Sequence, residues 1–575
     1  MELIDKIKGV LVDMDGVLYD SMPYHAKAWQ EMFSELGIKT VKEEFFFYEG
    51  MTGGATIDLI FHRELGRGAT EEEKKSHYAR KADLFTSKGK KRLMPGTFSA
   101  LSMLRNLGKK TVLVTGSAQS TLISRLDRDY PGLFPEGRRI TALDVTKGKP
   151  DPEPYLKGAE KAGYKPEECM VVENAPLGVR AGKNAGCFTI ALMTGPVPRE
   201  EFEKEGADMI FESPDEFAAW IGTSADFNTF DSAAKEIDNV GKRLNGATVT
   251  VVTDSNVNRR VVPLLKKSRL IKENDIVVLP AGESAKTLDN VVKIWDSLEN
   301  SGATRKSVIV NIGGGSVTDT GGFAAATFKR GIRYVNVPTT ILGAVDAATG
   351  GKTGINFNGL KNEIGSFHMP CEVMIMPELF MTLDRKEQLS GYAEMLKTAL
   401  IADESLYQRL RDVNEVLNSE ELLGEAVKKC VEIKESVVQE DPKEQGLRKI
   451  LNFGHTAGHA FETFCREKGN EEVTHGIAVA HGILVALILS RICLDFSGNV
   501  VTDYRNLLID NFPSLGLRCR DHDRIIELMG HDKKNHHEGR PNFTLLQKIG
   551  EPVTDCFPSS SEIREALEIY CDMSV

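Results

Sequence analysis

SVIVNIGGGSVTDTGGFAAATFKRG, residues Ser307–Gly331, runs from a β-branched apolar segment through three consecutive glycines into a small-residue, Ala-rich segment. The first part predicts a strand and the last a helix, because valine and isoleucine suit a pleated surface while alanine is the best helix former. Glycines at the junction let a backbone approach a pyrophosphate at a helix N-terminus, although tight turns also use glycine for steric reasons alone. Working outward, short apolar runs at Gly9–Val12, Thr111–Thr115, Met170–Glu173 and Thr248–Thr253 alternate with longer helical periods. That alternation predicts α/β layering with parallel sheets.

The chain has 575 residues, too many for one core; about 150 residues per domain gives roughly four compact units. Hydrophobic residues make up 41% and charged residues 27%, and no tract is dominated by Pro, Ser or Gln, which excludes extended disorder and fibrous repeats. A net charge of −11 argues against nucleic acid as a partner, since its backbone rewards clustered Lys and Arg. Small anionic substrates in local basic pockets remain compatible with that charge. Nine cysteines contain no CxxC pair, so reduced thiols and a cytoplasmic setting are expected. The N-terminus MELIDKIKGVLVDMDG lacks the basic-then-apolar run of a signal peptide. The most apolar stretch, Gly476–Leu494, is interrupted by His481 and Arg491 and is expected as a buried core helix, with no membrane partner. At residues 221–229, IGTSADFNT loses apolar periodicity. A first module over residues 1–222, a linker over 223–229 and a second module from residue 230 are therefore expected.

The first module opens with KGVLVDMDGVLYDS, an apolar strand running into Asp13, Asp15 and Gly16. Two acids one residue apart at a strand's C-terminal end point together into the crevice where open α/β sheets bind ligands, but acids there also serve turns and helix caps. Three later segments add to the pair. LVTGS (Leu113–Ser117) ends a strand on a hydroxyl, GKPDPEPY (Gly148–Tyr155) offers Lys149, and VVENAPLGV (Val171–Val179) ends a strand on an acid and an amide. In this order they resemble the haloacid dehalogenase superfamily over about residues 8–212, and DSMPYHAKAW (Asp20–Trp29) is similar to its β-phosphoglucomutase type. The resemblance implies a Rossmann-like core with a helical cap over about 19–93. It makes Asp13 the nucleophile of phosphoryl transfer and Asp15 the general acid and base, with Thr115 and Lys149 on the phosphoryl oxygens. Mg2+ would sit on Asp13, the Asp15 carbonyl and the Glu173/Asn174 end. Many relatives carry two adjacent acids there, whereas here the second is Asn174. The cap turn Thr52–Gly54 and the run Lys90, Lys91 and Arg92 are either phosphate contacts or solvated surface.

In the second module a strand ends in VVTDSNV (Val251–Val257), followed by PAGESAKT (Pro280–Thr287) and the glycine turn. VPTTILGAVDAATGGKTGINFNGLKNEIGSF (Val337–Phe367) concentrates Thr339, Thr340, Asp346, Lys352, Lys361 and Asn362 in one glycine-bearing segment, which suits phosphate and ribose better than a core. SGYAEMLKTALI (Ser390–Ile401) sets Glu394 and Lys397 three apart on one helical face. GLRKILNFGHTAGHAFE (Gly446–Glu462) and THGIAVAHG (Thr474–Gly482) supply His455, His459 and His475. Histidines at i and i+4 suit two zinc ligands with a carboxylate from elsewhere, or simply bond locally within a helix.

The set resembles the 3-dehydroquinate synthase family over about residues 230–557. The resemblance implies an NAD-binding α/β domain over 230–388 and a helical metal- and substrate-binding domain over 389–575. It implies metal ligands Glu394, His455 and His475 for Zn2+ or Co2+, with His459 facing substrate. NAD would contact Asp254, Asn256, Glu283, Lys286, Gly314, Gly315, Asp319, Thr339, Thr340 and Thr382, with Asp346 and Lys361 bordering the nicotinamide and metal. The substrate phosphate would meet Lys352, Asn362, Lys397 and Arg330, the last from a second subunit, which implies a homodimer. Lys434, Arg448, Asn452, Lys533 and Lys534 would face the carboxylate or ring hydroxyls. The implied reaction turns 3-deoxy-arabino-heptulosonate 7-phosphate into 3-dehydroquinate and phosphate, a shikimate-pathway step in which NAD is used catalytically. Competing expectations are another sugar-phosphate cyclase, a scaffold that has lost catalysis, and an iron-type alcohol dehydrogenase. The 7-phosphate is both anchor and leaving group, so the phosphatase module is expected to serve a different small phosphorylated metabolite.

Overall fold

Val10, Leu11 and Val12 are fully buried, and GVLV forms strand β1 (Gly9–Val12) at the middle of a sheet. The structure, a computed structural model, describes residues 2–88, 92–117, 123–224, 228–243, 247–470, 472–530 and 540–573. Lys90, Lys91, Lys533 and Lys534 lie outside them. Two compact units result, Met1–Phe227 and Asn228–Val575, where length alone suggested roughly four. One reason is that Ile341, Ala344 and Val345, which follow the second sheet, share a core with Tyr392 and Leu396 of the helical part.

In the first unit β1 is joined by β2 (Lys110–Val114), β3 (Arg139–Ile140), β4 (Cys169–Glu173), β5 (Phe188–Leu192) and β6 (Met209–Phe211). The sheet is parallel in the order β3-β2-β1-β4-β5-β6. The order reverses between β1 and β4, so the C-terminal ends of these two strands border the crevice where such sheets bind ligands. After β1 the chain leaves the sheet for helices Met22–Glu35, Glu44–Phe47, Gly53–Leu65 and Glu71–Lys88. It returns at Leu93, whose backbone bridges Tyr19, so both ends of the insert meet at one point. Trp29, Phe33 and Phe45 stack with ring centroids 5.8–6.1 Å apart inside the insert.

The second unit begins with a parallel sheet of β7 (Val249–Asp254), β8 (Ile276–Leu279), β9 (Val308–Gly313) and β10 (Arg333–Pro338). Its helices follow local rules. Thr287 caps helix Leu288–Asn300 by accepting from the Asn290 amide, and Val291, Ile294 and Leu298 bury the stripe that faces the sheet. The segment read from the sequence only as polar and glycine-bearing contains an antiparallel hairpin, β11 (Lys352–Phe357) and β12 (Leu360–Phe367). It closes through Asn358 and Gly359, both left-handed, the two-residue loop whose twist matches the strands. Strand β13 (Glu372–Val373) then completes the sheet order β13-β10-β9-β7-β8.

Among the described residues that follow, the regular elements are helices apart from a second hairpin, β14 (Phe543–Lys548) with β15 (Glu551–Cys556). Helix His475–Leu494 is buried over most of its circumference and matches the expected core helix; it is the one described helix long and apolar enough to cross a membrane. Its glycines permit the approach of neighbouring backbones. A Cβ on Gly476 would lie 1.9 Å from the Ser390 carbonyl oxygen, and one on Gly482 would lie 2.1 Å from the Gly454 carbonyl oxygen. Helices Arg385–Ala402 and His455–Glu467 therefore close in on its first turns, which brings Glu394, His455 and His475 together.

Candidate active sites

At the crevice of the first unit Asp13 directly follows β1 and Glu173 ends β4. Buried Lys149 joins them: Nζ donates to Asp13 Oδ1 and, at 2.5 Å, to Glu173 Oε1, which also accepts from the Tyr155 hydroxyl at 2.6 Å. Burial pushes the Asp13 carboxyl up to about 8, with Lys149 pulling it down and Glu173 adding to the rise. Asp15 goes the other way. Burial opposes its ionisation, but His25 (Nε2 to Oδ1, 3.0 Å), the Ser21 hydroxyl (2.6 Å) and Lys81 outweigh that and hold it below the usual carboxylate range. Lys81 Nζ reaches His25 Nδ1 at 2.6 Å, and burial lowers this amine to about 8.

Gly16 has a left-handed φ of 81°, and a Cβ there would lie 2.0 Å from Asn174 Nδ2, so the turn after Asp15 requires glycine. A cavity between core and insert is lined by Asp13, Asp15, Thr115, His25, Glu49 and Lys81 among others. Glu49 Oε1 in that cavity, and Asn174 Oδ1 after β4, are buried without hydrogen-bond partners among the described residues. Clustered acids with unpaired oxygens fit a hard divalent cation such as Mg2+. Of the cap residues named from the sequence, Thr52 is the N-cap of helix Gly53–Leu65, accepting from the Ala55 amide at 3.3 Å.

In the second unit the glycine turn lies where expected, between β9 and helix Gly315–Thr327, with Gly314 at the N-cap. Thr339 donates its amide to Gly313 O at 3.0 Å, and Thr340 Oγ1 accepts from Gly343 N at 2.9 Å, so the loop after β10 packs beside that turn. Asp254 caps the helix after β7 through the amides of Asn256 (2.8 Å) and Val257 (3.0 Å). Lys286 Nζ pairs with Asp319 Oδ2 at 2.6 Å, and Glu283 Oε1 accepts from Asn356 Nδ2 at 2.8 Å. Thr382 is buried with its hydroxyl on Leu379 O at 2.7 Å. Asn362 has a left-handed φ of 53°, and its Oδ1 accepts from Lys286 Nζ at 2.9 Å, beside one of the residues expected for NAD.

Glu394, 1% exposed, has no hydrogen bond to either carboxylate oxygen among the described residues, although Lys397 Nζ forms an ion pair with Oε2. His455 Nε2 lies 3.4 Å and His475 Nε2 3.7 Å from Glu394 Oε1. The other ring nitrogens face acceptors: His455 Nδ1 the Phe453 carbonyl at 3.1 Å, and His475 Nδ1 the Glu462 carboxylate at 3.0 Å. With the proton on each Nδ1, two lone pairs face a carboxylate oxygen, an arrangement that a cation between them satisfies. Nitrogen and carboxylate donors with an open side fit a catalytic Zn2+. His459 belongs to the same cluster, since ligand atoms of His455, His459 and His475 all lie within 4.8 Å of one another.

Around this centre cationic groups are held by acids or carbonyls. Lys434 pairs with Asp346, whose carboxyl stays well below its usual range because Lys434 and Lys397 outweigh its burial. Arg448 donates to Pro442 O at 2.9 Å and Gly350 O at 3.2 Å. Glu444 bridges Lys352 and Asn452, accepting from Asn452 Nδ2 at 3.0 Å, and Glu462 accepts from Lys361 Nζ at 2.8 Å. Glu444 and Glu462 were not singled out from the sequence. Glu462 had a signal, lying two helical turns after His455 on the same face. Arg330 is exposed at a turn where Lys329 (φ 49°) and Arg330 (φ 70°) are both left-handed.

Residues 276–390 match the 3-dehydroquinate synthase N-terminal family and 391–535 the 3-dehydroquinate synthase C-terminal family, while 7–186 match the haloacid dehalogenase-like hydrolases. A 3-dehydroquinate synthase of Parabacteroides distasonis is 45% identical over 322 residues, covering 56% of this chain and 90% of that protein. Among solved structures, 2-epi-5-epi-valiolone synthase from Streptomyces hygroscopicus subsp. jinggangensis 5008, with NAD+ and Zn2+ bound, is 26% identical with a TM-score of 0.51, over 57% of this chain and 92% of that one. A putative β-phosphoglucomutase from Bacteroides vulgatus is 45% identical with a TM-score of 0.36, over 37% of this chain and 87% of that one.

Proposed function

We propose an activity from one premise: the chain belongs to the 3-dehydroquinate synthase family, and carries a haloacid dehalogenase-like hydrolase ahead of that region. The second unit is a 3-dehydroquinate synthase that converts 3-deoxy-arabino-heptulosonate 7-phosphate to 3-dehydroquinate and phosphate. The first is a phosphatase for a different small phosphorylated metabolite. The observation that carries the synthase reading is Glu394, a buried carboxylate faced by the Nε2 atoms of His455 and His475 and flanked by Lys397.

Bound NAD would take up and return a hydride, and a bound divalent metal would polarise the substrate hydroxyl that loses it. The chain's own residues do the rest. Glu394, His455 and His475 hold the metal, and Glu462 keeps the His475 proton on Nδ1 so that Nε2 is the donor atom. Lys352 and Lys397 attract the phosphate, which takes over cationic charge now spent on Glu444 and Glu394. Arg448, Asn452 and Lys434 receive the carboxylate end and ring hydroxyls, and His459 faces the reacting ring. Asp254, Glu283, Lys286, Asp319, Thr339 and Thr340 surround the glycine turn and hold NAD. Arg330, exposed on its left-handed turn, completes the phosphate pocket of a second copy, making the active form a homodimer. Nine unpaired cysteines support a reducing, cytoplasmic setting.

In the phosphatase, Asp13 attacks phosphorus and Asp15, tied to His25 and Ser21, moves the proton of the leaving oxygen. Thr115 and Lys149 hold the phosphoryl oxygens, and Asp13, the Asp15 carbonyl, Glu173 and Asn174 surround the place for Mg2+.

One incubation tests the whole reading: the full chain with NAD, Zn2+ and the heptulosonate 7-phosphate, followed for phosphate and dehydroquinate. Equal amounts of both products are expected, and both are lost in Glu394→Ala. Phosphate without dehydroquinate, surviving Glu394→Ala and lost in Asp13→Asn, would overturn it.

A further inference from the structure

Two thiols and an imidazole meet at the end of the second unit, away from the metal centre. Cys571 lies in the last turn of helix Ser560–Met573 and is half-buried, and Cys519 opens the short helical turn Cys519–Asp521 and is exposed. The turn packs against that helix, and the Cys519 side chain hydrogen-bonds to Cys571. From 49 residues along the chain, buried His522 sets Nε2 3.3 Å from Cys571 Sγ. The turn is fixed at both ends: Arg518 N donates to Asp521 Oδ2 at 3.0 Å and Asp521 N to Arg518 O at 2.8 Å.

The three groups differ in the way a stepwise oxidation needs. An exposed thiol meets a dissolved oxidant first, and a half-buried thiol beside it then meets what the first has become. Burial and the neighbouring Cys519 push the Cys571 thiol up to about 11, so it needs a base to react. Burial also holds the His522 imidazole below its usual range, hence neutral and able to accept a proton at Nε2. The other neighbouring pair, Cys493 and Cys556, directs its thiols to different acceptors, the Glu562 carboxylate at 3.9 Å and the Val553 carbonyl at 3.5 Å.

We propose that Cys519 and Cys571 are a peroxide-sensitive dithiol that closes to a disulfide, with His522 as proton acceptor. The Cys519 sulfur attacks hydrogen peroxide, the O–O bond breaks, and one water and a sulfenic acid result. Cys571 then gives its proton to His522 and attacks the Cys519 sulfur; the S–O bond breaks and the leaving hydroxide takes up a proton as a second water. Two thiols lose two electrons, the peroxide gains them, and a thiol reductant reverses the change. The bond ties helix Ser560–Met573 to the turn ahead of helix His522–Gly530. Tyr570, next to Cys571, stacks on Phe461 with centroids 5.6 Å apart and sets its hydroxyl 2.7 Å from His481 Nδ1, so closure braces the two helices that carry His455 and His475.

The test treats the full reduced chain with an equimolar amount of hydrogen peroxide and digests it without reductant. Mass spectrometry should find a Cys519–Cys571 link as the main disulfide, reversed by dithiothreitol. Cys571→Ser should leave Cys519 as a sulfenic acid that dimedone labels, and Cys519→Ser should form no link. His522→Gln should slow closure by about 10-fold or more while peroxide is consumed at the same rate, so that the dimedone adduct rises. Oxidation should raise the thermal midpoint of the second unit by about 5 °C or more, and neither Ser variant should show that rise. A main link between other cysteines, a sulfenic acid that persists in the unaltered chain, closure equally fast in His522→Gln, or an unchanged midpoint in the linked chain would each overturn the proposal.

Discussion

His481 lies in the second turn of helix His475–Leu494, 2% exposed. Its Nδ1 is 2.7 Å from the Tyr570 hydroxyl and its Nε2 is 2.9 Å from the Pro513 carbonyl. A neutral imidazole protonated on Nε2 satisfies both contacts, accepting from Tyr570 and donating to Pro513; a second proton would set an N–H against burial. Burial accordingly pushes the imidazole down to about 4, with the Pro513 carbonyl acting the other way. The unfolded chain titrates near 6.5, so between about 4 and 6.5 it binds more protons than the folded one, and stability falls as pH falls. The contribution is complete above about pH 6.5 and lost progressively towards pH 4. Relative to pH 7.5, this one group removes about 2 kcal/mol at pH 5 and about 3 kcal/mol once the folded form is protonated. Replacing it, His481→Gln, should lower stability at pH 7.5 by breaking the Tyr570 and Pro513 contacts, yet the gap to wild type should narrow by about 2 kcal/mol at pH 5. Urea unfolding of the full chain reads the gap, with the relevant transition identified by loss of amide-exchange protection in helix His475–Leu494. A gap that stays constant between the two pH values would refute the reasoning.

Two further outcomes follow from the synthase unit. Glu462→Ala should weaken Zn2+ about 10- to 100-fold in a chelator competition while leaving NAD binding intact, because the variant loses the group that orients His475 and not a metal ligand; full Zn2+ affinity would separate Glu462 from the centre. Mixing Arg330→Ala and Glu394→Ala chains under subunit-exchange conditions should restore about a quarter of wild-type synthase activity, since half of the dimers are hybrids with one complete site, and absence of restoration would place Arg330 outside the neighbouring pocket.

What the sequence determines by itself is whatever a local period or a short motif encodes. The strands Gly9–Val12, Thr111–Thr115, Met170–Glu173, Thr248–Thr253 and Ser307–Ile312 were placed within a residue of their observed spans, because β-branched runs bounded by turns leave little choice. The burial of Gly476–Leu494 was legible from composition. The hairpin at Lys352–Phe367 also had a local signal, Asn358-Gly359, passed over because the stretch was read only for residues suited to phosphate and ribose. Only the tertiary structure decided which polar groups meet. Glu444 reaches Lys352 from 92 residues away, Glu49 reaches Asn174 from 125, and the placement of Asn362 beside Lys286 depends on the hairpin's turn. Spacing alone pointed to His455 and His459, and the family resemblance supplied Glu394, His455 and His475 as candidate ligands. The residues that orient them are marked in neither way, since an orienting hydrogen bond needs only an acceptor at the right point in space, and long-range packing, here the glycine-mediated approach of three helices, settles where that point is.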